Sequence, residues 1–116
     1  MRVIIAGSRG ITDMGSVIAA IQASGFKPSV VISGMARGVD ILGKMWADDN
    51  GIPVETYPAD WNRYGKSAGY RRNEVMADKA EALLAIYDGV SRGTKHMIDI
   101  ATRKGLKVYV YLVSGF

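Results

Sequence analysis

Short apolar runs, each stopping at or near a glycine and separated by stretches of helical periodicity, constrain this 116-residue chain more than any other feature. Arg2-Val3-Ile4-Ile5-Ala6 runs into Gly7, and Ser29-Val30-Val31-Ile32 runs into Ser33-Gly34. Pro53–Tyr57, with its proline near the start where a missing donor is tolerated, Ala82–Tyr87 and Leu106–Val113 read as three further strands. Between them, Asp13 is an N-cap for a helix through Ser24, with Val17, Ile18 and Ile21 on one face and Gly25 as its stop. Further helices are expected over about Val39–Asn50, Gly69–Lys79 and Thr94–Lys104, with Gly51 and Gly105 just past two of their ends. The aromatic and basic segment Pro58–Ala68 reads as irregular.

Five continuous apolar strands alternating with four helices require a sheet buried on both sides. The expected fold is α/β: a Rossmann-like, doubly wound parallel sheet of about five strands with helices on both faces, formed by residues 1–116 as one domain. In such sheets ligands bind beyond the carboxyl ends of the strands, where strand order reverses.

Composition removes several chemistries. There are no cysteines, so disulfides, thiolate metal sites and a cysteine nucleophile are excluded, and the single histidine, His96, rules out a multi-histidine metal site. Neither a metal nor a cofactor is expected. No apolar run approaches the length of a membrane span, and the apolar stretch before Gly7 is too short for a signal-peptide core, so a cytoplasmic location is expected. The net charge of +4 is a weak pointer to anionic partners until its placement is known.

That placement is uneven. Eight of the 15 Lys and Arg residues fall after strands: Arg9, Arg37, Arg63, Lys66, Arg71, Arg72, Arg92 and Lys95. The loops are Gly7-Ser8-Arg9-Gly10, Ser33-Gly34-Met35-Ala36-Arg37-Gly38-Val39-Asp40, the Trp61–Lys66 segment leading to Arg72-Asn73, and Asp88-Gly89-Val90-Ser91-Arg92-Gly93-Thr94-Lys95. Glycine lets the backbone approach a ligand closely. The helix that follows offers unpaired amides and a partial positive charge to an anion. Arginine adds a planar fork that matches phosphate.

Each residue also has a plainer reading. Gly7 and Gly34 end strands, Arg9 and Arg71 taken singly are solvated charges, and Asp40 suits a helix dipole as well as a ligand. Trp61 and Tyr64 pack under the loop as readily as they stack on a base, and His96 reads as structural. Four such loops on one edge favour a phosphate-bearing ligand. Neither a full G-x-G-x-x-G fingerprint nor a Walker A motif is present, which disfavours an ordinary NAD dehydrogenase or P-loop NTPase.

Ile5-Ala6-Gly7-Ser8-Arg9, Ser33–Asp40, Arg72-Asn73 and Ser91-Arg92-Gly93-Thr94 occur in the order that resembles the SLOG superfamily, and most closely its YspA-like branch. The second motif is similar to the SGxARGxD segment of DprA DNA-processing proteins. The fourth is similar to the GGxGT segment of LOG-type phosphoribohydrolases. The resemblance implies a Rossmann-like sheet, binding of nucleotides or NAD-derived molecules, and a homodimer. It further implies that Gly7, Ser8 and Arg9 border a phosphate and that Ser33, Gly34, Arg37, Gly38 and Asp40 form a second wall. Arg72 and Asn73 would reach in from the third helix, while Ser91, Arg92, Gly93 and Thr94 belong to the phosphate cradle.

The phosphoribohydrolases carry a glutamate three residues after the motif threonine, and here that position is Met97. Asp88 and Glu74 are the remaining carboxylates for catalysis, with nothing in the sequence to place them. The expectation is therefore a binder that senses or sequesters a phosphorylated nucleotide or NAD-derived small molecule. The alternatives are an N-glycosidase or deoxyribosyltransferase of nucleoside monophosphates, and single-stranded DNA binding through Trp61, Tyr64 and Tyr70.

Overall fold

The computed structural model describes residues 1–114. Five parallel strands, β1 (Arg2–Gly7), β2 (Val30–Ser33), β3 (Val54–Thr56), β4 (Ala82–Tyr87) and β5 (Lys107–Leu112), form one sheet in the order β3-β2-β1-β4-β5. Helices α1 (Met14–Ser24) and α2 (Val39–Asp49) lie between the first three strands, and α4 (Ala68–Lys79) and α5 (Arg92–Arg103) flank β4. The chain winds outward from β1 to β3, then returns to β4 on the other side of β1. The fold is the Rossmann-like α/β sheet expected from the alternation.

The period of two along β1 sorts its side chains between two cores. Val3 and Ile5 face the cluster containing Val17, Ala20 and Ile21 of α1 and Val39 and Ala47 of α2. Ile4 and Ala6 face Met76 and Ala77 of α4 and Met97, Ile100 and Ala101 of α5. Val3, Ile4 and Ile5 are at most 1% exposed, so β1, like its neighbour β4, is sealed on both faces. This is why it carries no polar residue between Arg2 and Gly7.

Helix ends follow the local chemistry. Asp13 accepts from the Gly15 amide at 2.9 Å, and Gly25 closes α1 in the left-handed region at φ 69°. The segment expected to be irregular contains a short helix, α3 (Trp61–Tyr64), and a 3-10 turn over Gly65–Ser67. Asp60 caps α3 by accepting from the Arg63 amide at 3.1 Å, and Gly65 ends it at φ 55°. The fourth long helix begins at Arg92, two residues before the expected Thr94, because Ser91 is its N-cap.

Far from the strand ends that follow the switch point, Arg2 ties the sheet together. Its guanidinium makes a two-pronged contact with Glu55 of β3 at 2.6 and 2.8 Å, and its Nε donates to the Lys79 carbonyl at 2.6 Å. Arg2 thus spans β3 to the end of α4 across the amino-terminal edge.

Close packing of α2 on β1 depends on Gly43, where a Cβ would lie 2.6 Å from Ile5 Cγ2 and 3.0 Å from Ile5 Cβ. Alanine improves intrinsic helix propensity by about 1 kcal/mol, yet here it must push α2 off a buried strand. Gly43→Ala is expected to lower stability by about 1–3 kcal/mol in urea unfolding. A variant as stable as the parent would contradict this packing.

Candidate functional site

The strand order reverses between β1 and β4, and a cleft of about 400 Å³ opens there. Ala6 and Gly7 from the end of β1 form its floor, together with Met76 of α4 and Met97 of α5. A Cβ on Gly7 would overlap the Ile86 carbonyl oxygen of β4 and come within 2.8 Å of Val39 Cγ2. Only glycine lets β1, β4 and the start of α2 converge here.

The β2 loop supplies Asp40, which is 4% exposed yet lines the cleft. Its Oδ2 accepts from the Ala36 amide at 3.3 Å. Burial raises the Asp40 carboxyl to about 6, against the opposing pull of Arg72, the Ala36 and Gly7 amides and Arg9. Arg72 reaches across from α4 and donates from Nη1 to the Gly34 carbonyl at 2.5 Å and from Nε to Asn73 Oδ1 at 3.1 Å. Burial pulls its guanidinium below the ordinary arginine value, and Asp40 offsets part of that effect. Gly34 is required beneath it, since a Cβ there would lie 2.6 Å from Arg72 Nη1 and 2.8 Å from Asp40 Oδ2.

The third side is the turn into α5. Asp88 Oδ1 accepts from the Val90 and Ser91 amides, each at 2.9 Å, which holds its carboxyl below the usual value. Ser91 Oγ lies 2.9 Å from Thr94 Oγ1 and caps the helix. Asn73 Nδ2 donates to the Gly93 carbonyl at 3.2 Å and lies 3.1 Å from His96 Nδ1. An amide N–H only donates, so His96 accepts at Nδ1 and carries its proton on Nε2. Burial lowers the histidine's basicity, in keeping with a neutral ring. His96 also packs against Tyr70, with ring centroids 4.3 Å apart, and so supports the wall from behind.

Trp61 and Tyr70 line the fourth side, exposed by 50% and 45%, with Lys66 beside them. Of the pair left open by the sequence, Trp61 faces the cleft. Tyr64 does not, and is flanked by the guanidiniums of Arg63 at 5.0 Å and Arg71 at 4.4 Å from its ring centroid.

The cleft therefore gathers Gly7, Arg9, Asp40, Arg72, Asn73, Asp88, Ser91, Gly93 and Thr94 from the expected set. Others are corrected by the geometry. Ser8 is buried and accepts from the Asp88 amide at 3.1 Å. Ser33 is buried and donates to the Asp40 carbonyl at 3.1 Å, so both hydroxyls hold loops in shape. Gly38 turns the chain at φ 77°, where a Cβ would strike the Ser8 and Arg9 carbonyls. Gly34 and Arg37 line an adjoining basin instead of the main cleft. Arg92 lies on the exposed first turn of α5 and does not line the cleft. Glu74 faces the other side of α4, beside Tyr64 and Asp78. Met97 is 1% exposed under the floor, so its position carries no carboxylate into the site.

Trp61, Lys66 and Tyr70, singled out in the sequence for stacking and charge but not among the phosphate-binding motifs, also line the cleft. Their signal was the clustering of aromatic and basic residues after β3. Gly10, Ala36 and Gly69 also line the cleft and carried no signal beyond small size. Among the described residues no three His, Asp or Glu side chains gather into a group that could hold a metal ion, and no described helix is long and apolar enough to cross a membrane.

Comparison with known proteins bears on the family and the fold. The profile of the YspA, cpYpsA-related SLOG family matches residues 1–64, which include β1, the β2 loop and Asp40. Gene 61 protein of Mycobacterium phage D29 is 34% identical over 116 residues, spanning 92% of this chain and 93% of that protein. The chain belongs to the YspA-related SLOG family. The X-ray structure of DNA processing protein A (DprA) from Streptococcus pneumoniae shares its fold, with a TM-score of 0.69 at 22% identity. That similarity covers 94% of this chain but 49% of the DprA chain, so this SLOG protein spans about half of that neighbour's length.

The buried Asp40 carboxyl makes stability depend on pH. Its folded-state value near 6 lies above its ordinary 3.8, so the folded protein holds this proton more tightly than the unfolded chain. Stability from this group is greatest below about pH 4 and is lost as pH rises towards 6. Relative to Asp40→Asn, the parent is expected to lose about 1–3 kcal/mol between pH 4 and 7. Urea unfolding of both proteins across that range measures this, and a constant difference would contradict the assignment.

Proposed function

We propose that the cleft binds a phosphorylated nucleotide or nucleotide-derived small molecule, and that the protein senses or sequesters it. The observation that carries this reading is the convergence of three cations on the cleft, against two carboxylates. The four ion pairs among the described residues are Arg2–Glu55, Lys44–Asp48, Lys95–Asp99 and Lys104–Asp78, and none uses a cation of the site. Arg9, Lys66 and Arg72 instead converge on one cavity, beside the first turn of α5. Cations in excess over the carboxylates Asp40 and Asp88 around a concave site favour an anion.

In this reading the phosphate lies against the α5 amino terminus at Gly93, where the helix contributes partial positive charge and its first-turn amides, the Thr94 amide being taken by the Ser91 cap. Arg72 contributes the charged donor that its bonds to Gly34 and Asn73 leave over, since a guanidinium carries five N–H groups. Asp88 uses Oδ1 for the turn, and its other oxygen suits a ribose hydroxyl. Trp61 and Tyr70 offer apolar faces to a base. The volume of about 400 Å³ is in the lower part of the range for small-molecule sites.

Cleavage of the N-glycosidic bond draws no support from Met97 or from the outward-facing Glu74. Binding to single-stranded nucleic acid shares the same aromatic and basic groups, and the exposure of Trp61 and Tyr70 favours it as a second reading. The two differ in salt response, because a strand that neutralises several cations loses affinity steeply as salt rises.

Calorimetry with nucleoside monophosphates and ADP-ribose is expected to show binding that Arg72→Ala weakens by roughly 1.5–3 kcal/mol, the worth of one charged hydrogen bond. Arg72→Lys should recover part of the loss, since it keeps the charge without the fork. Failure of every ligand to bind the parent protein would overturn the proposal.

A further inference from the structure

The main cleft does not end at Arg72. A second basin of about 260 Å³ adjoins it, and the two share Arg9, Ala36, Trp61 and Arg72 as walls. The basin's own lining includes Met35, Arg37 and Pro58. It is smaller than free-standing ligand sites, which begin at about 300 Å³, so it makes sense as an annex that a ligand enters from the main cleft.

Its chemistry differs from that of the main cleft. The main cleft mixes Arg9, Lys66 and Arg72 with the carboxylates of Asp40 and Asp88. The annex is lined by three arginines, Arg9, Arg37 and Arg72, and by no acidic residue. Arg37 is exposed and takes part in none of the four ion pairs among the described residues. The loop that presents it holds Met35 at φ 61°, a left-handed conformation that a side chain like methionine's rarely adopts. Ser33 Oγ secures that turn by accepting from the Met35 amide at 3.2 Å. Arg37 is the cation that the annex adds to Arg9 and Arg72, and three arginines lining one small basin fit a second phosphate-class group.

We infer that the ligand is longer than one nucleotide: it carries a second phosphate group, held by Arg37 and Arg9 in the annex, while Trp61 and Arg72 stand at the junction between the two halves. This rests on the main cleft being a nucleotide site. Two chemistries supply such a ligand, a pyrophosphate-bridged dinucleotide and a phosphodiester-linked one, and both present a second phosphorylated unit.

The test compares the monophosphate that binds best with pyrophosphate-bridged and phosphodiester-linked dinucleotides of the same base. Affinities are measured for the parent, Arg37→Ala and Arg37→Lys, with thermal unfolding to confirm that each variant is folded. At least one dinucleotide is expected to bind about tenfold or more tightly than the monophosphate. Arg37→Ala should reduce that dinucleotide's affinity about tenfold more than the monophosphate's, and Arg37→Lys should restore part of it. Whichever dinucleotide shows the dependence identifies the linkage. If the monophosphate binds and both dinucleotides bind no better, with no selective effect of Arg37, the annex proposal is overturned and the nucleotide site stands. If none of the three ligands binds, both fall.

Discussion

Three elements meet at Gly7, and the rest of the molecule is arranged around that contact. β1 ends there, the Ile86 carbonyl of β4 occupies the space a Cβ would need, and Val39 of α2 closes from the side. The Ser8 amide then donates to the Ile86 carbonyl at 3.1 Å, and Ser8 Oγ accepts from the Asp88 amide, so the loops after β1 and β4 are stitched together. Because the sheet winds in opposite directions from these two strands, their loops part just beyond the stitch. The cleft is the space between them.

Burial and charge at the site are coupled by the same geometry. Asp40 and Arg72 come from opposite faces of the sheet and meet over Gly34, each changing the other's ionisation in the direction that keeps it charged. Burial works against both. Arg37, exposed beside the cleft, takes part in none of the four ion pairs among the described residues.

The sheet was readable because β1, β2 and β4 are continuous apolar runs, and Val3, Ile4 and Ile5 have nowhere to go but between two helical layers. The glycine loops were readable for a similar reason, since Gly7 and Gly34 tolerate no Cβ. The short helix at Trp61–Tyr64 was not, because four residues carry no periodicity and its order depends on the Asp60 cap. Nor could sequence proximity separate Arg37 from Asp40. Two residues with positive φ, Met35 before Arg37 and Gly38 after it, set the loop's path, and Asp40 lines the main cleft whereas Arg37 lines the annex. Small hydroxyl residues beside a phosphate motif invited a binding role for Ser8 and Ser33, but burial commits both to loop structure.

The central claim is that the switch-point cleft receives the phosphate of a nucleotide. Titration of the isotope-labelled protein with a nucleoside monophosphate, followed by amide and indole NMR shifts, tests it most directly. The account predicts the largest, saturable shifts at Gly10, Ser91, Gly93 and Thr94 and at the Trp61 indole. Saturable shifts centred instead on the outer face of α4, around Tyr64 and Glu74, or no saturable shifts at all, would contradict it.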